Sequence, residues 1–180
     1  ARYAEAERLR KRQLTILEKV FNANHPRVAD ALNWLANVYG AQQKYNMAEP
    51  LYKRAMRIWS SETTENVQLG YVYSNLAAVY TSQDRLGQAE VFYEKAIAFL
   101  EKRGSTSIGL AYALANLGDF YSRVGKTAEA EVLLKRAIAT FEKAIAIEPK
   151  ALPSLNELGI SYRERKKTGD IDLAIPTFEK

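Results

Sequence analysis

Apolar and small residues recur at intervals of three and four along most of the chain. Residues 32–39 follow this spacing, and so do residues 48–55. Residues at these intervals lie on one face of an α-helix. The polar stretch GAQQKYN at 40–46 is typical of a turn. The pattern therefore predicts two antiparallel helices joined by a short turn.

The same pattern returns with a period of 41 residues. One register of small residues is occupied by Ala36, Ala77, Gly118 and Gly159. Two further registers lie on the second helix of each pair. One comprises Ala48, Ala89, Ala130 and Ala174, with three extra residues inserted before Ala174. The other comprises Ala55, Ala96 and Ala137. Small residues in such registers indicate helix–helix contacts, because a larger side chain would hold the backbones apart.

The order small residue, tyrosine, turn, alanine, aromatic residue, alanine resembles the tetratricopeptide repeat, whose usual period is about 34 residues. The stretches NHPRVADALNWLANVY and KYNMAEPLYKRAMRI are similar to the long-helix repeats of kinesin light chains and their bacterial relatives. The extra residues correspond to about two helical turns, and we expect them to lengthen a helix. The resemblance implies an all-α fold, a right-handed superhelical solenoid of antiparallel helix pairs.

The repeat boundaries divide one solenoid domain, residues 1–180, into five parts. The first is the second helix of a partial repeat, and the last is a truncated repeat. In chain order the parts are residues 3–25, 26–66, 67–107, 108–150 and 151–180. Because the first predicted helix has no partner in this sequence, we expect a middle section of a longer array.

First helices line the concave surface of such solenoids, so their residues facing away from the core are candidates for a peptide-binding groove. Asparagine recurs on this face, and its amide both donates and accepts hydrogen bonds, as a peptide backbone requires. The resemblance implies this role most directly for Asn75 and Asn116. The predicted groove residues are Asn33, Trp34, Asn37, Tyr71, Ser74, Asn75, Tyr112, Asn116, Asp119, Arg123 and Asn156.

Several of these residues have an alternative role that needs no ligand. The asparagines could simply be polar residues on a solvated helix face. Trp34 could anchor a ligand or pack against a preceding helix. Tyr71 and Tyr112, one period apart, could bracket a ligand side chain or cover a neighbouring helix. A clamp for the acidic tail of a partner is not expected, because the groove positions that would hold its cations carry uncharged residues.

These features predict a non-enzymatic scaffold that binds an extended peptide or a partner segment in the concave groove. The alternative is an assembly module that forms homo-oligomers end to end through its terminal helices. The apolar residues of the first predicted helix motivate this alternative, because no first helix in this chain covers them: Leu9, Leu14, Leu17 and Phe21.

Composition gives no support to catalysis or to a cofactor. The chain has one histidine, His25, and no cysteine, so neither a His/Cys metal cluster nor a Cys–His dyad can form. His25 precedes Pro26, where capping of a helix is the expected role of either His25 or Asn24. No glycine-rich phosphate loop is present. We expect no metal and no cofactor.

Charge and hydropathy restrict the partners further. The net charge of +5 is mild, and a nucleic-acid site would need basic residues on one stripe with aromatic residues to stack bases. The densest basic cluster, Arg163–Lys167, is not expected to be such a site. No apolar run approaches the length of a membrane span, so no membrane insertion is expected. The absence of cysteine fits the cytoplasm and a bacterial periplasm alike, with the cytoplasm favoured.

Overall fold

A computed structural model describes residues 2–61, 66–103 and 108–147, and every regular element in these ranges is an α-helix. Seven helices are present there: α1 (Arg2–Val20), α2 (Pro26–Ala41), α3 (Tyr45–Ser60), α4 (Gln68–Ser82), α5 (Leu86–Glu101), α6 (Ile108–Arg123) and α7 (Thr127–Ile147). The predicted all-α class is confirmed. The predictions for Asn156, Gly159 and Ala174 lie outside the described residues.

The chain forms two compact units, residues 1–100 and 101–180. In the first unit, α2 packs against α1, α3 and α4, and α3 also packs against α4. Phe92 of α5 lies edge-on to Tyr73 and Tyr80 of α4, with ring centroids 6.0 and 5.4 Å apart. In the second unit, α6 packs against α7.

The start of α2 confirms the cap expected beside Pro26. The backbone N–H of Arg27 donates to His25 Nδ1 at 3.2 Å, and Pro26 is the first helical residue. Proline suits this position because the first N–H groups of a helix have no partner within it. The His25 ring also stacks on Phe21, with centroids 4.2 Å apart. This histidine therefore has a structural role at the helix start.

Each turn within a repeat has the same backbone conformation. Gln43, Asp84 and Gly125 have positive φ angles of 59°, 59° and 83°. In each turn the following residue donates its N–H to the carbonyl of the tyrosine five positions earlier, as Lys44 does to Tyr39 at 2.9 Å. This is the Schellman motif, which ends a helix with one left-handed residue.

The small-residue registers lie where helices meet. In these registers the described alanines are all buried: Ala36, Ala48, Ala55, Ala77, Ala89, Ala96, Ala130 and Ala137. At Gly118 a Cβ atom would lie 2.8 Å from Leu134 Cγ, closer than two carbon atoms can approach. At Gly70 a Cβ atom would likewise lie 2.7 Å from Leu100 Cγ. Gly70 belongs to a further register of small residues, with Ala29 and Ala111, that was not predicted.

The residues beyond the usual period are not all placed as predicted. In the third repeat they lengthen the second helix, since α7 has 21 residues. In contrast, α3 and α5 each end after 16 residues. The expected lengthening of a helix is therefore confirmed for α7, whereas α3 and α5 are no longer than the first helix α2.

Candidate functional site

In the first unit, α2 and α4 are the first helices of successive repeats and contact each other. Their outer sides present two asparagines and two aromatic residues, which we call the amide–aromatic face: Trp34, Asn37, Tyr71 and Asn75. Trp34 is 50% exposed and Tyr71 is 37% exposed, although large aromatic side chains are usually more buried. The two asparagines are half-buried.

The two asparagines of this face are joined to each other. Asn75 Nδ2 donates to Asn37 Oδ1 at 3.1 Å, and the Tyr52 hydroxyl donates to the same oxygen at 2.6 Å. Burial raises the pKa of Tyr52 above its usual value, so its hydroxyl keeps the proton that it donates. The other polar atoms of the two amides are Asn37 Nδ2, a donor, and Asn75 Oδ1, an acceptor.

Two predicted groove residues are not on the exposed surface. Asn33 and Ser74 are both 7% exposed, and they share a register with Ala115, which is 1% exposed. Helical phase predicts both residues on the groove only if a single side of each first helix is buried. The buried sector is wider, since α2 has three neighbouring helices. Asn33 Oδ1 is buried with no hydrogen-bond partner among the described residues.

Trp34 both packs against the preceding helix and keeps surface that a ligand can contact. The Arg10 guanidinium of α1 lies 5.0 Å from the centroid of the indole ring, so the preceding helix covers part of it. The guanidinium also donates to Gln13 Oε1 at 2.8 Å. Half of the side chain remains exposed and can contact a ligand.

The second unit holds the remaining described groove residues, all on α6. Tyr112 is half-buried and meets Phe141 of α7 edge-on, with centroids 5.2 Å apart, so it covers the second helix of its own repeat. Asn116 and Asp119 are half-buried, and Arg123 is exposed in the last turn. The predicted Asn156 lies outside the described residues.

The four residues of the amide–aromatic face are uncharged, and the nearest cation is the Arg10 guanidinium beside Trp34. Helix α4 contains no Asp, Glu, Lys or Arg, and the charged residues of α2, Arg27 and Asp30, lie near its start. A face of this composition suits the polar backbone and the uncharged side chains of a peptide. It does not provide the paired cations that a carboxylate clamp would require.

Charged residues concentrate instead where consecutive repeats meet. Arg85 Nη1 donates to Glu49 Oε2 at 2.7 Å, and the guanidinium lies 4.2 Å from the Tyr80 ring centroid. One repeat earlier, Lys44 binds Glu7 at 3.0 Å and lies 5.8 Å from the Tyr39 ring centroid. These clusters were not predicted, although the tyrosines and the cations five residues later share the 41-residue period.

These contacts shift the pKa values of both carboxyl groups. Hydrogen bonds from Lys11, Lys44 and Gln42 lower the pKa of Glu7 to about 2. At Glu49, burial opposes the shift, but hydrogen bonds from Arg85 and Lys53 outweigh it and lower the pKa. Both groups are therefore anionic at neutral pH.

The described residues give no sign of a metal site or a membrane span. No group of three or more metal-ligating side chains comes together in this part of the chain. None of its helices is both long and apolar enough to cross a lipid bilayer.

Comparison with known proteins decides the family. The sequence model of the tetratricopeptide repeat matches residues 1–61, 27–102 and 68–143, which together span most of the chain. The chain belongs to the tetratricopeptide repeat family. Such repeats generally mediate protein–protein interactions and scaffolding, and the family is typically non-enzymatic. None of the curated protein sequences matches this tetratricopeptide repeat chain.

Solved structures share the fold at low sequence identity. The crystal structure of BtubC (BKLC) from P. vanneervenii is 20% identical, with a TM-score of 0.67 over 94% of this chain and 69% of that one. A kinesin light chain-like protein from Podosopora anserina with nearly identical TPR-like repeats is 22% identical, with a TM-score of 0.61 over 77% of this chain and 66% of that one. A single-residue variant of the latter gives a TM-score of 0.64.

These neighbours are kinesin light chain-like repeat proteins. At the level of the fold they confirm the predicted subtype and the all-α repeat solenoid. The chain spans about two thirds of the length of each of them.

Proposed function

We propose that this chain binds an extended peptide segment of a partner protein across the amide–aromatic face of α2 and α4. The observation that carries the proposal is the hydrogen bond between Asn75 and Asn37, which joins the first helices of two successive repeats. It holds two carboxamides at one place, beside two exposed aromatic residues.

The hydrogen bonds inside the protein leave one amide donor and one amide acceptor of the pair available to a ligand. Asn37 Oδ1 already accepts from Tyr52 and Asn75, so Asn37 offers its amide N–H groups. Asn75 donates to Asn37 and offers its oxygen. A donor beside an acceptor is complementary to the C=O and N–H groups of an extended backbone, which are unpaired when no strand neighbours it. Such contacts bind a peptide without specifying its sequence.

Selectivity would come from the aromatic residues beside the amides. Trp34 and Tyr71 expose large apolar surfaces and have few rotatable bonds, so they can bury a ligand side chain at little entropic cost. Because α4 has no charged residue, the ligand side chains placed there are expected to be apolar or uncharged. Asn116 on α6, in the second unit, stands in the same register as Asn75.

The test is a peptide-array screen followed by calorimetry with a selected peptide. Asn75→Ala removes one amide of the pair, and we expect the dissociation constant to rise about tenfold, as loss of one or two hydrogen bonds implies. Asn24→Ala is the matched control, because Asn24 is exposed before α2 and outside the face. Circular dichroism verifies that both variants are folded. Equal binding by the wild type and the folded Asn75→Ala variant would contradict the proposal.

A further inference from the structure

The two aromatic residues of the amide–aromatic face lie on neighbouring helices at about the same level. Hydrogen bonds between equivalent helices of successive repeats join residues 36 to 38 positions apart at several points, so these helices run parallel. The bond between Asn37 and Asn75 fixes the level of α2 against α4. Trp34 precedes Asn37 by three residues and Tyr71 precedes Asn75 by four, about one helical turn in each case.

The distance between the two helices sets the spacing of the two aromatic residues. Helices in contact lie about 8–10 Å apart, measured between their axes. In a polyproline II helix, side chains three residues apart lie on the same side and are separated by about 9 Å. In a β-strand, neighbouring side chains on one side are two residues apart and separated by about 6.6–6.8 Å. The spacing of Trp34 and Tyr71 therefore suits a ligand in the polyproline II conformation better than a β-strand.

The amide pair disfavours a helical ligand and restricts the sequence of an extended one. An α-helix uses its backbone N–H and C=O groups within itself, whereas a polyproline II segment leaves them unpaired. The Asn37 amide can donate to a ligand carbonyl, and Asn75 Oδ1 can accept from a ligand N–H. Proline has no backbone N–H. A ligand that uses Asn75 therefore needs a residue other than proline beside its prolines.

The accessibility of this face is kept where a preceding first helix is already in place. Tyr71 and Asn75 lie on α4, which packs against α2, and Tyr71 is still 37% exposed. Asn75 occupies the register of Trp34 one repeat later and is half-buried, not buried, beside α2. A first helix packed in the same way before α2 would therefore leave part of the Trp34 register accessible.

We propose that the amide–aromatic face binds a polyproline II segment of a partner protein with two prolines three residues apart and another residue type between them. This inference rests on the proposed peptide-binding function and names its ligand class. The proline rings pack on Trp34 and Tyr71, because the electron-rich faces of aromatic rings attract the polarised C–H groups beside the proline nitrogen. A segment already held in this conformation loses little entropy on binding.

The charges around the face indicate which flanking residues the segment carries. Helix α4 has no charged residue. The Arg10 guanidinium, 5.0 Å from the centroid of the Trp34 ring, forms no ion pair with a described residue. Because it repels other cations, we expect a segment without lysine or arginine next to its prolines.

The probes are three short, uncharged, fluorescently labelled peptides that differ only at their centre. The first contains Pro-Gln-Gln-Pro, the second has its two prolines two residues apart, and the third has valine in place of both prolines. Fluorescence anisotropy with the complete 180-residue chain should show that the first peptide binds at least about tenfold more tightly than either of the others.

Variants of the chain assign this preference to the face. Trp34→Leu and Tyr71→Leu keep an apolar side chain but remove the ring, and each should reduce the preference for the first peptide over the valine peptide at least about threefold. Tyr3→Leu is the matched control, since Tyr3 is 57% exposed on α1 and lies outside the face. Asn75→Ala should weaken the first and the valine peptide by the same factor, because the amides contact the ligand backbone. Circular dichroism verifies that each variant is folded.

The possible results separate this inference from the proposed function. Equal binding of the first and the valine peptide, with Asn75→Ala weakening both, would overturn the inference and leave the proposed function standing. So would equal binding of the two proline peptides, because the spacing would then have no effect. A preference that survives both Trp34→Leu and Tyr71→Leu would place the proline site on another surface. Binding of none of these peptides and of no peptide on the array would overturn both proposals.

Discussion

Arg85 and Glu49 are 36 residues apart in the chain, and their side chains meet at 2.7 Å. The arginine directly precedes α5, the second helix of one repeat, and the glutamate lies on α3, the second helix of the repeat before it. Lys44 and Glu7 have the same relationship one repeat earlier, at 3.0 Å. Consecutive repeats in the first unit are therefore joined by charge as well as by the apolar core.

The Glu7 cluster predicts a dependence of stability on pH. The pKa of Glu7 is lowered from 4.5 to about 2 in the folded chain, so the folded state binds fewer protons than the unfolded state in this range. Its contribution to the free energy of unfolding is complete above about pH 4.5 and is lost as the pH falls toward 2. Urea unfolding should show the wild type more stable than Glu7→Gln at pH 7, with the difference vanishing near pH 2.

Glu142→Gln is the control for this experiment. Glu142 is exposed on α7 and carries no ion pair among the described residues, so its replacement should leave the stability nearly unchanged at every pH. A difference between wild type and Glu7→Gln that stays constant from pH 7 to pH 2 would contradict the assignment.

The positive φ angle in each turn predicts opposite effects on stability for two glycine-to-alanine changes, one inside a turn and one inside a helix. Gly125 has a φ of 83° and no atom near its missing Cβ, so Gly125→Ala should cost about 1–2 kcal/mol through backbone conformation alone. Gly87 lies in the first turn of α5 with equally open surroundings and no positive φ, and Gly87→Ala should stabilise by up to about 1 kcal/mol. Thermal unfolding measures both, and effects of the same sign would contradict this account.

The same reasoning applies in reverse to the turns without glycine. Gln43 and Asp84 hold φ angles of 59° that their side chains disfavour. Gln43→Gly and Asp84→Gly should therefore raise the midpoint of thermal unfolding, by an amount reduced by the extra freedom of glycine in the unfolded chain. A fall in the midpoint for both variants would indicate that the side chains contribute more than the turn geometry.

The contact of Gly118 with Leu134 predicts an overpacking penalty. A Cβ at residue 118 would lie 2.8 Å from Leu134 Cγ and 3.4 Å from the Ala130 carbonyl oxygen, so Gly118→Ala should cost about 1–3 kcal/mol. Leu134→Ala removes the clashing atoms, and the double variant should be more stable than the sum of the single effects implies. Gly40→Ala, whose nearest contact would be the Tyr52 hydroxyl at 3.9 Å, is the control that should show no penalty.

The hydroxyl of Tyr52 links core packing to the amide–aromatic face. Tyr52→Phe removes the hydrogen bond to Asn37 and should cost about 0.5–1.5 kcal/mol in urea unfolding. It should also weaken binding of the array-selected peptide, because the Asn37 amide is then held by Asn75 alone. Unchanged peptide affinity in a destabilised Tyr52→Phe variant would show that the orientation of Asn37 does not matter for binding.

Most of the fold could be predicted because small residues and tyrosines recur at a constant spacing along the chain. A period of 41 residues in small residues and tyrosines implies helix pairs, and α2 to α7 fall within the three repeats drawn from that period. The lengths of α3 and α5 were not predicted, because spacing alone cannot tell whether extra residues extend a helix or the connection after it.

The candidate site was predicted less completely. Asn37 and Asn75 were named as candidates, but their hydrogen bond joins residues 38 apart, and no local pattern shows such a contact. Asn33 and Ser74 were placed on the groove and are buried, because the number of helices around α2 cannot be read from the helical phase of α2. The ion pairs at Glu7 and Glu49 were missed because they too join residues far apart in the chain, 37 and 36 positions.

The most direct test of the amide–aromatic face is an NMR titration of the isotope-labelled chain with an array-selected peptide. We predict that the side-chain amide signals of Asn37 and Asn75 shift together and saturate at one dissociation constant, while that of Asn24 stays unchanged. Binding that leaves the Asn37 and Asn75 signals in place would contradict the central claim and move the peptide site to another surface.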